Sequence, residues 1–124
     1  INLTDTQDEI INKIKKAKTD PMSMPSTIKE LDERLEAKNL VGIYSSLSNS
    51  SLDNTINEFS GKNFSEFKEK LSQVVVDKIN PISLEIKKLL NDKEYLDKIL
   101  SDGCKVADAI ASQKIKKIHE IVGF

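Results

Sequence analysis

Apolar residues recur along this chain at steps of three and four, the spacing that places side chains on one face of an α-helix. Thr6 followed by Glu9 forms a capping-box pair, and Ile10, Ile11, Ile14 and Ala17 after it fall within an arc of about 120°. The pattern predicts a helix from Thr6 to about Lys18, docked by its isoleucines, with Lys13 and Lys16 on the far side. Asp20-Pro21 ends it, and Pro-Met-Ser-Met-Pro reads as a loop. Leu31, Leu35, Leu40, Ile43, Tyr44 and Leu47 then keep helical spacing. Leu35-Glu36, both good helix formers, lie in the middle of that run, so one helix is expected from about Thr27 to Ser48 with no turn between Arg34 and Asn39. Gly42 within it predicts close packing at that point.

A short helix follows from Leu52 to Ser60, stopped by Gly61 at a left-handed cap. The longest pattern starts at Asn63 or Ser65 and carries Phe64, Phe67, Leu71, Val74, Val75, Ile79, Ile82, Ile86 and Leu89. Val74-Val75-Val76 alone would suit a strand, but the flanking period is helical, and the stripe resumes in phase beyond Pro81. A last helix capped by Asp92 carries Gly103, Ala107 and Ala111 at steps of four, a small-residue ladder that lets a neighbouring helix approach closely. Ser101 or Asp102 marks a bend expected before Gly103, and Cys104 is expected as a small packed residue. No alternating strand pattern, glycine-rich phosphate loop or internal repeat occurs. The expected fold is all-α: a helical bundle with one core, at least four helices of eight residues or more, and no sheet.

Composition fits an ordered helical domain: 124 residues, 38% hydrophobic and 31% charged, with only four Gly and three Pro. No apolar run is long enough to span a membrane or to serve as a signal peptide. The single cysteine, Cys104, has no internal disulfide partner and suits a reducing compartment, so the cytoplasm is the expected location. Net charge is −1, which does not advertise nucleic-acid binding, but its distribution is uneven. Lys13, Lys15, Lys16 and Lys18 cluster near the start, and Lys105, Lys114, Lys116 and Lys117 near the end. Residues 26–102 between them hold 11 basic and 14 acidic side chains. Basic ends around an acidic middle allow a localised polyanion-facing patch, although lysine-rich helix faces are commonly plain solvated surface.

Independent catalysis has little to build on. His119 is the single histidine, near a helix end where a cation is mildly favoured. Asp8-Glu9 and Asp32-Glu33 are adjacent pairs that diverge on a helix, and no Cys/His spacing suits zinc. Thus no catalytic residue, no metal ligand and no cofactor is assigned within the chain. The aromatic residues Phe59, Phe64, Phe67, Tyr44, Tyr95 and Phe124 mostly sit on apolar faces and are expected in the core. Arg34, the one arginine, can make planar bidentate contacts; a salt bridge to a nearby acid is its ordinary role and a contact to RNA or another domain its functional one.

Four blocks resemble the carboxy-terminal part of bacterial tryptophanyl-tRNA synthetases, a class I family. They are INLTDTQDEIINKIKKAKTD at residues 1–20, NLVGIYSSLS at 39–48, FKEKLSQVVVDKINPI at 67–82 and YLDKILSDGCKVADAIASQKIKKIHEIVGF at 95–124. They stand in family order and cover nearly the whole chain. Leu35-Glu36 replace the family's Pro-Gly, which puts the turn made there in doubt. The resemblance implies an anticodon-binding helical domain: residues 1–20 form the helix that follows the catalytic loop, and residues 26–124 form the bundle. It implies a carboxy-terminal fragment, inactive alone, of an enzyme that joins tryptophan to its tRNA using ATP with Mg. The implied partners are tRNA and the catalytic domain of the same enzyme, with the fragment a monomer and the parent a homodimer. The candidate RNA-binding residues are Arg34, Lys105, Lys114, Lys116, Lys117, Lys13 and Lys16. The contrasting reading is a free-standing helical protein-interaction module.

Overall fold

The computed structural model describes residues 1–123 and contains six helices and no strand among them. Helix α1 (Gln7–Lys16) opens on the capping box: the Thr6 Oγ1 accepts from the Glu9 N–H at 3.3 Å, and the Thr6 N–H donates to Glu9 Oε2 at 2.7 Å. Two of the four N–H groups that a helix start leaves unpaired are thereby accounted for. Its Ile10 and Ile14 are buried, as the spacing predicts.

The expected single helix from Thr27 to Ser48 is two. Helix α2 (Ile28–Asp32), capped by Thr27, stops before Glu33, and α3 (Leu35–Ser48) begins after Arg34, whose φ −122° and ψ 81° lie outside the helical region. The turn therefore persists without Pro-Gly. Its cause is not local: the Arg34 guanidinium is held by Asp20 and by the Ser23 carbonyl, and a continuous helix would tear it from both. The break also reverses the fate of two leucines that one helix would have placed on the same face. Leu31 is buried, whereas Leu35 is 73% exposed. Helix α3 ends on Asn49 in the left-handed region (φ 54°). Gly42 does not mark a close approach, since no neighbouring atom lies within 4 Å of where its Cβ would be.

Helix α4 (Leu52–Phe59) is capped by Ser51, whose Oγ accepts from the Asn54 N–H. After it, Gly61 takes φ 70°, and the Met24 backbone closes on this turn through Met24 N–H to Lys62 O at 2.8 Å and Gly61 N–H to Met24 O at 3.2 Å. Helix α5 (Phe64–Asn91) contains Val74, Val75 and Val76 and runs on through Pro81. Helix α6 (Lys93–Val122) starts at Asp92, whose side chain accepts from the Tyr95 N–H. It passes without a break through Ser101, Asp102 and Gly103 and ends at Gly123, φ 85°.

The chain divides into two compact units, residues 1–84 and 85–124. The first holds the hydrophobic core: Ile10, Ile14, Met24, Leu31, Leu40, Val41, Ile56, Leu71 and Val75 pack around an aromatic group. Tyr44, Phe59 and Phe67 lie with ring centroids 5.0–5.8 Å apart, two of the three pairs edge to face, the geometry favoured by ring quadrupoles. The second unit carries the end of α5 and all of α6, and no residue of α6 is buried. In the small-residue ladder Gly103 has open space at its Cβ, and Cys104 beside it is exposed rather than packed.

Candidate functional site

Arg34 is the most constrained of the candidate residues. Its Nε and one terminal nitrogen donate to the two Asp20 carboxylate oxygens at 2.8 and 2.6 Å, and the other nitrogen donates to the Ser23 carbonyl at 2.8 Å. The guanidinium also lies 5.4 Å from the Phe64 ring centroid, a cation–π distance. This fork-to-fork pair uses the planar geometry that lysine lacks. It holds the Asp20 carboxyl below its ordinary range, chiefly through the hydrogen bond from Arg34. The side chain is 13% exposed, and the groove beside it, about 450 Å³, is lined also by Glu30 and Glu33. Arg34 thus ties the loop after α1 to the start of α3 and α5, and its groove carries acids that repel phosphate.

On α1, Lys13 pairs with Asp5 at 2.6 Å. That hydrogen bond, with the N–H of Asn2, lowers the Asp5 pKa. Lys16 is exposed and makes no ion pair among the described residues, so of the two it is the one whose ammonium faces water alone. A lysine that sequence reasoning did not single out, Lys68 of α5, donates to the Ala17 carbonyl at 2.6 Å and to Thr19 Oγ1 at 3.3 Å. It satisfies the end of α1, where carbonyls lack helical donors. No local signal identifies it, because its partners lie about fifty positions away.

The remaining candidates lie on α6. Because that helix is unbroken, their directions follow from about 100° per residue. Lys105 and Lys116 fall within about 20° of each other. Lys114 points about 180° from Lys105, and Lys117 about 100° from Lys116. The cluster Lys114, Lys116 and Lys117 is contiguous in sequence and divided in space. Lys98, which sequence reasoning missed, shares the direction of Lys116, so Lys98, Lys105 and Lys116 form one row spanning about 27 Å at 1.5 Å per residue. Spacings of seven and eleven residues, two and three turns, were the available signal. Lys105 also pairs with Asp102 at 3.1 Å, but both side chains are well exposed, and such pairs are weak enough to open for a stronger anion.

Tyr44, Phe59, Phe64 and Phe67 are buried and offer no stacking surface; Tyr95 is half exposed, and Phe124 lies outside the described residues. The Tyr44 hydroxyl pKa is raised by burial and then by the neighbouring Glu58 carboxylate. Among the described residues no group of carboxylates, histidine and cysteine is placed to hold a metal, and no helix is long and apolar enough to cross a membrane. What the arrangement can do is bind: a row of ammonium groups on one side of a long helix contacts phosphates without reading bases.

No family model matches the chain. It is similar over its whole length to curated tryptophan–tRNA ligases. One from Mesorhizobium japonicum is 43% identical across 99% of the chain, one from Agrobacterium fabrum 44% across 100%, and one from Rickettsia felis 45% across 100%. The chain spans only 35–37% of the length of these relatives.

Proposed function

We propose that the chain, similar along its whole length to tryptophan–tRNA ligases and about a third as long as they are, belongs to that family and is the tRNA-binding helical region of such an enzyme. The complete protein uses ATP with Mg to join tryptophan to its tRNA, working as a cytoplasmic homodimer, and these 124 residues by themselves are monomeric and inactive. The observation that carries the reading is identity of 40–45% along the entire chain. The row Lys98, Lys105 and Lys116 supports it, as does the folding of residues 1–84 around their own core, a frame that can present RNA-facing groups at fixed positions. Lysine contacts to phosphate supply affinity and register; discrimination of the anticodon then rests on base-edge contacts from polar groups of the same surface.

The test is binding of the purified chain to the anticodon stem–loop of tryptophan's tRNA at low salt, alongside tryptophan-dependent pyrophosphate exchange. Salt-sensitive binding without exchange is the expected outcome. Failure to bind the stem–loop at any ionic strength, or exchange by these residues alone, overturns it.

A further inference from the structure

Lys68 stands on α5 beside the fully buried Phe67, yet its ammonium serves a different helix. Its Nζ donates to the Ala17 carbonyl at 2.6 Å, to Thr19 Oγ1 at 3.3 Å and to the Lys15 carbonyl at 3.4 Å. The three donors of an ammonium thus meet three acceptors, all between Lys15 and Thr19 at the tail of α1. No carboxylate takes part, since Lys68 makes no ion pair among the described residues. Its charge is balanced by the carbonyl end of α1, where a helix leaves its last C=O groups unpaired and carries partial negative charge.

The other contacts of α1 with the core are apolar. Ile10 and Ile14 are buried, and Ile11 and Ala17 pack partly against the same cluster. Apolar contact is non-directional, so it holds a helix to a surface without fixing its rotation or its position along the axis. Hydrogen bonds have preferred lengths and angles, and a strap of them fixes both. Arg34 grips the loop farther on, at Asp20 and the Ser23 carbonyl. Between the two grips the Lys18–Glu36 pair is exposed and weak. Lys68 is therefore the polar contact from α5 that sets the register of the helix end itself.

We infer that Lys68 is a positioning residue for the transfer of tryptophan to tRNA. This rests on the function proposed above, with residues 1–20 as the helix that follows the catalytic loop. The strap fixes the register of α1 on α5 and hence the direction in which that helix joins the helical region to the catalytic part. Activation of tryptophan by ATP involves no tRNA and needs no such register. Transfer does: the tRNA is held by the helical region at one end and reacts in the catalytic part at the other. There a terminal ribose hydroxyl forms the ester C–O bond to the tryptophanyl carbonyl, the anhydride C–O bond to AMP breaks, and the hydroxyl proton goes to the departing phosphate. Lys68 touches none of these atoms. It acts through α1, and a displacement of about 1 Å far from the chemistry can cost about a hundredfold in rate.

The test uses the complete gene product carrying Lys68→Met, which keeps the apolar stem and loses the charge and the donors. Lys70→Met, an exposed lysine two positions on, is the control. Single-turnover transfer from preformed adenylate is expected to slow at least about tenfold in Lys68→Met, with pyrophosphate exchange and tRNA affinity within about twofold of the unaltered protein. Hydrogen exchange of the α1 amides should quicken while that of the buried half of α5 does not. Lys68→Arg, which keeps charge and donors, should restore most of the transfer rate, and Lys70→Met should change nothing. Unchanged transfer in Lys68→Met overturns the inference, whether or not α1 exchange quickens. An equal fall in pyrophosphate exchange, tRNA binding and transfer also overturns it, because that is what a purely structural role gives. Failure of the unaltered protein to charge tRNA would sink the proposed function and the positioning role with it, whereas the variants judge the strap alone.

Discussion

The two units of this chain use the same apolar period to opposite ends. In residues 1–84 the residues at steps of three and four are buried: Ile10, Leu71 and Phe67 are 0–1% exposed. On α6, in the second unit, the same spacing leaves no apolar side chain buried. Periodicity therefore reports that a helix has a face, not that the face is occupied; occupancy depends on partners elsewhere in the chain or outside it. Helix α5 passes between the two regimes. Its first half buries Phe64, Phe67, Leu71, Val75 and Val76, and beyond Pro81 its Ile82, Leu84 and Leu90 are exposed.

The largest expected effect tests that contrast directly. Phe67→Ala removes a fully buried ring from the aromatic group and is expected to cost about 3–5 kcal/mol of unfolding free energy. Ile110→Ala on α6 is expected to change the stability of the 124-residue chain by no more than about 0.5 kcal/mol. Urea unfolding followed by circular dichroism measures both. A loss for Ile110→Ala comparable to that for Phe67→Ala would break the comparison, because the α6 face would then already be packed.

Arg34 shows how the first unit is closed, and Arg34→Ala is expected to cost about 2–3 kcal/mol, since it strands Asp20 and a carbonyl in partly buried positions. Arg34→Lys recovers little of this, because one ammonium cannot reproduce the fork. If Arg34 met a base instead, the alanine variant would keep its stability and lose affinity only for the cognate tRNA.

This residue also separates what was legible in the sequence from what was not. The α1 start was legible because Thr6 and Glu9 are three positions apart, and the α5 stripe because its signal repeats over many turns. The break between α2 and α3 was not. Local propensity at Leu35-Glu36 favours helix, and the overriding contacts come from Asp20, fourteen positions back, and Phe64, thirty ahead. Gly42 and Gly103 misled for a related reason: a small residue permits close approach but does not supply the neighbour. Of the candidate site, the presence of cations was legible and their partners were not. Lys13 and Arg34 turned out to be tied to Asp5 and Asp20, and the α6 lysines to point in different directions.

A smaller effect, in acid, belongs to the first unit. Asp20 and Asp5 have folded-state pKa values below the ordinary carboxylate value of 3.8. Between the folded and ordinary values the unfolded chain binds more protons, so stability rises with pH there. The contribution is complete above the ordinary value and is lost as pH falls through the lowered one. Thermal unfolding between pH 5 and about pH 2 should therefore steepen toward acid in the parent chain and less so in Asp20→Asn. An unchanged acid limb in that variant would mean that the Arg34 pair does not persist in solution.

The smallest expected effect concerns RNA and sharpens the reading of the second unit. Each lysine–phosphate contact releases counterions, so the slope of log affinity for tRNA against log salt should fall by about 0.7 to 0.9 for each contact removed. Changing Lys98, Lys105 and Lys116 together to Gln removes the cations from one side of α6 and should flatten the slope by about 2 to 3, with cognate and non-cognate RNA weakened in parallel. Lys114→Gln should leave the slope where it was, although Lys114 stands two positions from Lys116 in sequence, because about 200° of helix rotation separates them. Equal slope changes from Lys114→Gln and Lys116→Gln would mean that RNA wraps the helix on all sides. A flat response in all of these variants would return the row to plain solvated surface and move the search to Lys16, an exposed lysine of α1 without an ion pair among the described residues.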